Sequence, residues 1–286
     1  MKKYLKLMRV HHYIKNLLVF APLACSGELF NTSKFIDCLV CFIGFCAVSS
    51  IVYIINDIKD ADKDRLHPQK SKRPIASGEV SIKRSILMIA ILGIVSIFCN
   101  LYLKNVVNAI FMYGYLFLNV LYSHGLKNIP ILDIAILVSG FLIRIVCGSL
   151  STSIVISNWL YLTVMALAMY LSLGKRRNEV KSNGCNTREV LKYYSVGFLD
   201  KGMMMSITLT NVFYALWSVD SNTINHYKNN YLLFTVPIVL FITLKYSMDV
   251  EEGTDGDPVE VLISDKILIA MCLLYFFVMF TVLYLV

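Results

Sequence analysis

The sequence predicts an all-α, polytopic membrane protein of about nine transmembrane helices, and three observations predict it. Of 286 residues, 57% are apolar and only 16% are charged, against about 45–50% and about 25% in a typical soluble domain. With a mean hydropathy of +0.65, a single soluble globule is excluded, and so is disorder, which needs low hydrophobicity and dense charge. The apolar residues gather into nine runs, at about 14–31, 36–56, 85–103, 106–122, 131–150, 157–174, 202–218, 230–248 and 266–285. Runs of about 17–25 residues cross about 30 Å of hydrocarbon as helices. Finally, 23 of the 27 Lys and Arg residues fall on one side of the predicted topology and 3 on the other, with Arg144 inside a span. Such a split fixes orientation. The N-terminus is expected in the cytoplasm and the C-terminus on the far face of a cell (inner) membrane.

The first run is the weakest, because Lys15, Asn16 and Glu28 interrupt it. Its lead of Lys2, Lys3, Lys6 and Arg9 looks like the start of a signal peptide, and Ala24-Cys25 hints at a lipoprotein site. Pro22 stands where such a site takes an aliphatic residue, and more spans follow, so a retained first helix is expected. The second run holds Cys38, Cys41 and Cys46, read as small buried hydrophobes. Seven of the eight cysteines lie in apolar runs, and no disulfide framework is read from them. In the fifth run, Arg144 follows Asp133 by eleven residues, about three turns, on one face. The two are too far apart to pair directly. An ionisable group in a span is costly, so Arg144 is expected either to line a cavity or to pair with another helix. His11, His12 and His124 read as interfacial residues.

The long connections, 57–84, 175–201 and 249–265, all face the cytoplasm in a single membrane domain spanning 1–286. The net charge of +8 is therefore topology and not a nucleic-acid footprint; the lipid bilayer is the partner it implies. The reading leaves a homo-oligomer open.

Chemistry concentrates in residues 56–78. Asp57, Asp60 and Asp64 are spaced i, i+3, i+7 and share one face of a helix continuing out of the second span. Asn56 reaches the same rim, whereas Asp62 points elsewhere. Carboxylates in this register repel unless a cation sits among them, and oxygen ligands suit Mg²⁺, which takes one or two carboxylates plus substrate phosphates. Arg65, His67, Lys70 and Arg73 follow, with Pro68 and Pro74 turning the chain. A metal rim facing a cationic loop is suited to a diphosphate. Lys15, at the cytoplasmic end of the first span, is placed to reach a phosphate, and Arg9 a lipid headgroup. The acidic residues Asp249, Glu251, Glu252, Asp255 and Asp257 either cap the site or are solvated.

The stretch Asn56-Asp57-x-x-Asp60-x-x-x-Asp64 resembles the first aspartate motif of the UbiA-type intramembrane prenyltransferase superfamily, and the nine spans resemble its bundle with a cytoplasm-facing active site. The extension Asp64-Arg65-x-His67-Pro68-x-Lys70-x-x-Arg73-Pro74 looks like the decaprenyl-phosphate phosphoribosyltransferase branch. Lys15-Asn16, Tyr122-Ser123 with Lys127, and Gly256-Asp257-Pro258 are further echoes. The resemblance implies transfer of 5-phosphoribose from phosphoribosyl diphosphate to a polyprenyl phosphate, for cell-envelope glycan synthesis. Asp57, Asp60 and Asp64 are the implied catalytic and metal residues, with Asn56 beside them. Aromatic prenyltransferases of the superfamily carry a second aspartate motif after the sixth span. Here that place reads Lys175-Arg176-Arg177-Asn178-Glu179, which suits an anionic lipid headgroup or a sugar phosphate better than a second metal. The three cations are indistinguishable by spacing. The alternatives are a prenyltransferase acting on an aromatic or other small acceptor, a transporter, and a structural membrane anchor.

Overall fold

A computed structural model describes residues 2–66, 70–183, 189–251, 261–262 and 264–285. Among them the ordered elements are all helices. They are α1 (Lys2–Met8), α2 (Ala21–Ala24), α3 (Thr32–Lys59), α4 (Ala61–Arg65), α5 (Ile82–Leu103), α6 (Val106–His124), α7 (Leu132–Thr152), α8 (Asn158–Asn183), α9 (Val196–Val219), α10 (Ser221–Tyr227), α11 (Val236–Glu251) and α12 (Lys266–Tyr284). Tighter 3₁₀ turns cover Val10–Phe20, Lys70–Lys72, Leu126–Asn128, Glu189–Tyr193 and Tyr231–Thr235. Side chains that accept from backbone N–H groups two or three residues on start the long helices: Asn31 for α3, Ser81 for α5, Asn105 for α6, Ser195 for α9 and Asp265 for α12.

Seven helical stretches among the described residues are long and apolar enough to cross a membrane. An eighth helix, α8, has 26 residues but ends in the charged Lys175–Glu179 segment. The expected first span is not one continuous helix. Arg9 takes a left-handed turn (φ 52°) after α1, and Val10–Phe20 then winds as a tight 3₁₀ stretch into α2. The cause is polar. Asn16 is buried, and its amide Nδ2 donates to Cys46 Sγ (3.2 Å) and Ser49 Oγ (3.1 Å) of α3. A lipid-facing helix could not bury that amide. The count of nine membrane-length helices is therefore not reproduced.

The chain gathers into two compact units. The first holds Met1–Ala24, Glu28–Gly125 and Ile143–Ile154; the second holds Cys25–Gly27, Leu126–Leu142 and Val155–Val286. In the first unit α3 is the central helix, with 67% of its apolar stretch buried against 11% for α5. Its core joins Val19, Leu23, Cys38, Cys41, Phe45, Val48 and Cys147. Helices in lipid gain little from hydrophobicity and associate by close packing over small residues. Gly148 is the extreme case, since a Cβ there would lie 1.9 Å from the Val19 carbonyl oxygen. The thiols pack as small apolar groups, as expected. In the second unit α8, α9 and α11 enclose Ala168, Tyr170, Leu173, Leu199, Met203 and Val250.

Candidate active site

The first unit carries the acidic motif. α3 brings Asn56 and Asp57 to its last turn and ends at Lys59. Asp60 is the joint to α4, yet its N–H still donates to the Asn56 carbonyl (2.9 Å) and the Asp64 N–H to its own (2.8 Å). Helical register thus survives the joint. Asp57 and Asp64, only 2% and 4% exposed, converge on the single guanidinium of Arg73. Its Nη1 lies 2.6 Å from Asp64 Oδ2 and 3.4 Å from Asp57 Oδ1. Arg73 gets there because Pro74 turns the chain and the Val80 N–H closes that turn on the Pro74 carbonyl (2.9 Å). Asp60 is half-buried and has no ion pair among the described residues.

Arg9 completes the cluster. Its Nη2 donates to Asp57 Oδ1 at 2.6 Å, and its guanidinium lies 4.9 Å from the Tyr53 ring centre. Read from sequence, Arg9 belonged with lipid headgroups; the left-handed turn at that residue returns it to the acidic rim instead. Asn56 accepts from the Ser123 hydroxyl, and Lys59 Nζ donates to the Ser123 carbonyl (2.7 Å). Ser123 is therefore what the Tyr122-Ser123 pair contributes, while Tyr122 itself is half-buried.

Arg65 departs from the expectation. It is exposed and pairs with Asp62 at 2.7 Å, the two side chains being 56% and 92% exposed. Asp62 is solvated, as its register predicted. An exposed i,i+3 pair contributes about 0–1 kcal/mol. Substituting Asp62→Ala is expected to leave the transfer rate within about twofold, checked by initial rates in isolated membranes. Lys70 is exposed and Lys15 half-buried. His67 and Gly256-Asp257-Pro258 lie outside the described residues.

Arg144 is buried. Its Nε donates to Asn16 Oδ1 (2.8 Å), its Nη2 to Tyr115 OH (3.2 Å), and it stacks over the Phe45 and Tyr115 rings at 4.9 and 5.0 Å. Of the two roles expected for it, these contacts match the structural pairing. It seats the first segment through Asn16, which explains the Lys15-Asn16 echo by its second residue.

The second unit separates the three adjacent cations. Arg176 is wholly buried, with Nε on Asp133 Oδ2 and Nη1 on Glu179 Oε2, both at 2.7 Å. Asp133 Oδ1 accepts from Tyr194 OH (2.6 Å), and that oxygen accepts from the Ile131 N–H (2.6 Å). Burial, and the Asp133 carboxylate it donates to, push the Tyr194 phenol up to about 12, so it stays protonated. Ile131 has φ 69°, a costly conformation for a β-branched residue, and this network holds it. Arg176, expected beside its neighbours to bind a substrate, is paired with two carboxylates inside the fold. Arg177 Nε pairs with Asp200. Lys175 and Lys127 are half-buried. At the acidic loop, Lys245 pairs with Asp249 and with Asp265.

The donor set around Asp57 is all oxygen, which suits a hard cation. Among the described residues no group of three acidic, histidine or cysteine side chains is close enough to cage a metal, so the full carboxylate triad is not assembled. The Asp57–Asp64 pair already has a positive group between its oxygens, and two carboxylates plus substrate phosphates are a usual Mg²⁺ set. The residues therefore fit Mg²⁺ held jointly with a substrate.

Comparison with known proteins gives the chain a family. Residues 18–263 match the model of the UbiA prenyltransferase family. The chain is 32% identical over 282 residues to the decaprenyl-phosphate phosphoribosyltransferase of Corynebacterium glutamicum, covering 96% of this chain and 84% of that protein. It is 32% identical over 278 residues to the enzyme of the same name from Mycolicibacterium smegmatis, covering 92% and 87%. Among solved structures, a UbiA homolog from Archaeoglobus fulgidus bound to GPP and Mg²⁺ superposes with a TM-score of 0.72 at 18% identity, over 98% of this chain and 99% of that one.

Proposed function

The chain belongs to the UbiA prenyltransferase family, and from that premise we propose that it is a Mg²⁺-dependent phosphoribosyltransferase of the membrane. It is a multi-pass membrane transferase. Its donor is 5-phosphoribosyl 1-diphosphate and its acceptor a decaprenyl-like polyprenyl phosphate, the product serving cell-envelope glycan synthesis. The observation that carries this reading is the convergence of Asp57 and Asp64 on Arg73, in a chain so similar to two enzymes of that name. The proposed setting is the inner membrane, with the N-terminus and the reaction on the cytoplasmic face.

Asp57 and Asp64, with Asp60 and Asn56 beside them, would hold Mg²⁺ together with the donor diphosphate. Bound there, the ion supplies neutralisation of the diphosphate charge. Arg73, released from the two carboxylates, turns to the leaving diphosphate, and Lys70 supports it; both stabilise charge that grows as the C1–O bond breaks. Arg9 orients the Asp57 carboxylate. The sugar carbon gains oxocarbenium character, as in other glycosyl transfers. The attacking oxygen belongs to the polyprenyl phosphate, which is already anionic at neutral pH, so no general base is needed. Single displacement inverts C1. Lys15, Lys127 and Lys175 would each meet phosphate groups at the membrane surface.

The test is transfer by purified protein in detergent, with labelled phosphoribosyl diphosphate and a short polyprenyl phosphate. A labelled lipid that disappears on chelation with EDTA and returns with Mg²⁺ is the expected result. Product formed only from a prenyl diphosphate and an aromatic acid overturns the reading in favour of the aromatic branch. A transporter finds no support in these residues or relatives.

A further inference from the structure

Three consecutive cations, Lys175, Arg176 and Arg177, look alike in the sequence, and the second unit tells two of them apart. Arg176 is satisfied on both sides by Asp133 and Glu179. Arg177, about 100° further round α8, is not. Its side chain is 7% exposed, and its Nε is tied to Asp200 near the start of α9. Its Nη1 is buried and has no acceptor among the described residues. A buried charged donor without an acceptor is costly, and a native structure keeps one only for a reason. The chemistry that satisfies it is an anion with several oxygens, since the planar guanidinium presents parallel N–H groups that match phosphate. On the same face of α8, two turns earlier, Tyr170 hydrogen-bonds Ser247 of α11 through its hydroxyl (2.7 Å), and both Arg177 and the Glu251 carboxylate lie within electrostatic reach of that hydroxyl.

We propose that Arg177 binds a phosphate monoester through Nη1, and that Asp200 is the positioning residue that holds the guanidinium for it. This rests on the phosphoribosyl reading above, which brings two such groups: the headgroup of the polyprenyl phosphate and the 5-phosphate of the sugar donor. Asp200 fixes one edge of the guanidinium and leaves the other edge for the ligand. Arg176 contributes by locking α8 in place, one residue away, without touching the substrate.

The experiment measures binding apart from turnover. Farnesyl phosphate and ribose 5-phosphate are titrated separately into the purified full-length protein in detergent. Wild type is compared with Asp200→Ala, Asp200→Glu and Arg177→Lys, each checked by thermal midpoint. Asp200→Ala is expected to weaken one of the two probes about tenfold and leave the other unchanged, whatever its midpoint, with recovery in Asp200→Glu. Arg177→Lys should lose at least as much. Loss for farnesyl phosphate assigns the lipid headgroup, and loss for ribose 5-phosphate assigns the donor. Wild-type affinity of Asp200→Ala for both probes overturns the proposal, as does weakening of both alongside a lowered midpoint, which marks a structural role. If the selective loss is seen but wild type makes no phosphoribosyl lipid, the subsite stands and the assigned reaction falls.

Discussion

Substituting Asp57→Asn is expected to reduce phosphoribosyl transfer by at least about 10²-fold while leaving the protein in the membrane. The change is isosteric and removes only the charge. In the structure that charge is buried and shared by Arg9 at 2.6 Å and Arg73 at 3.4 Å. Without it, Arg9 loses this carboxylate and Arg73 keeps Asp64, and the rim carries less of the negative charge that would hold a divalent cation with the diphosphate. Losing one preorganised electrostatic group in an active site costs about 10²–10³ in kcat. Initial rates, with KM for phosphoribosyl diphosphate measured separately, check the expectation, and size-exclusion in detergent checks folding. A variant that keeps more than a tenth of wild-type rate removes Asp57 from the metal site.

The second large effect is on stability. Arg176→Met is expected to lower stability by about 3–5 kcal/mol, because it strands the wholly buried Asp133 carboxylate with Tyr194 as its remaining side-chain donor. The paired substitution Arg176→Met with Asp133→Leu should recover most of that loss, since an apolar pair often replaces a buried ion pair without cost. The measurement is the thermal unfolding midpoint of the three proteins in one detergent. If the single variant unfolds at the wild-type temperature, the pair contributes nothing that its isolation could reveal. Recovery of the midpoint without recovery of transfer would separate the lock from the catalytic task.

Local features were legible in the sequence and distant ones were not. Apolar runs reveal spans because hydropathy is a property of neighbouring residues. The register of Asp57 and Asp64 was legible for the same reason: helical spacing places them on one face, and Arg73 meets both. Arg9, Ser123 and Asp200 carried no such signal. Their partners lie 48, 67 and 23 residues away, and nothing in spacing links them. Arg176 and Arg177 were equivalent as letters; folding distinguishes them by bringing Asp133 to one and Asp200 to the other. The first span misled because its apolar content is that of a membrane helix, while Asn16 needs partners that only the folded core provides. In each case the miss is a polar group whose meaning depends on a side chain far along the chain.

The hydrogen bond from Arg144 to Asn16 also sets an order of assembly. Its two ends are 128 residues apart, so at about 5–20 residues per second a ribosome needs roughly 6–26 s between them. For that interval Asn16 has its α3 partners, Cys46 and Ser49, but not the arginine, and the glycine against which Val19 rests is made four residues later still. The seat of this segment therefore closes in two stages, first on α3 and then on α7.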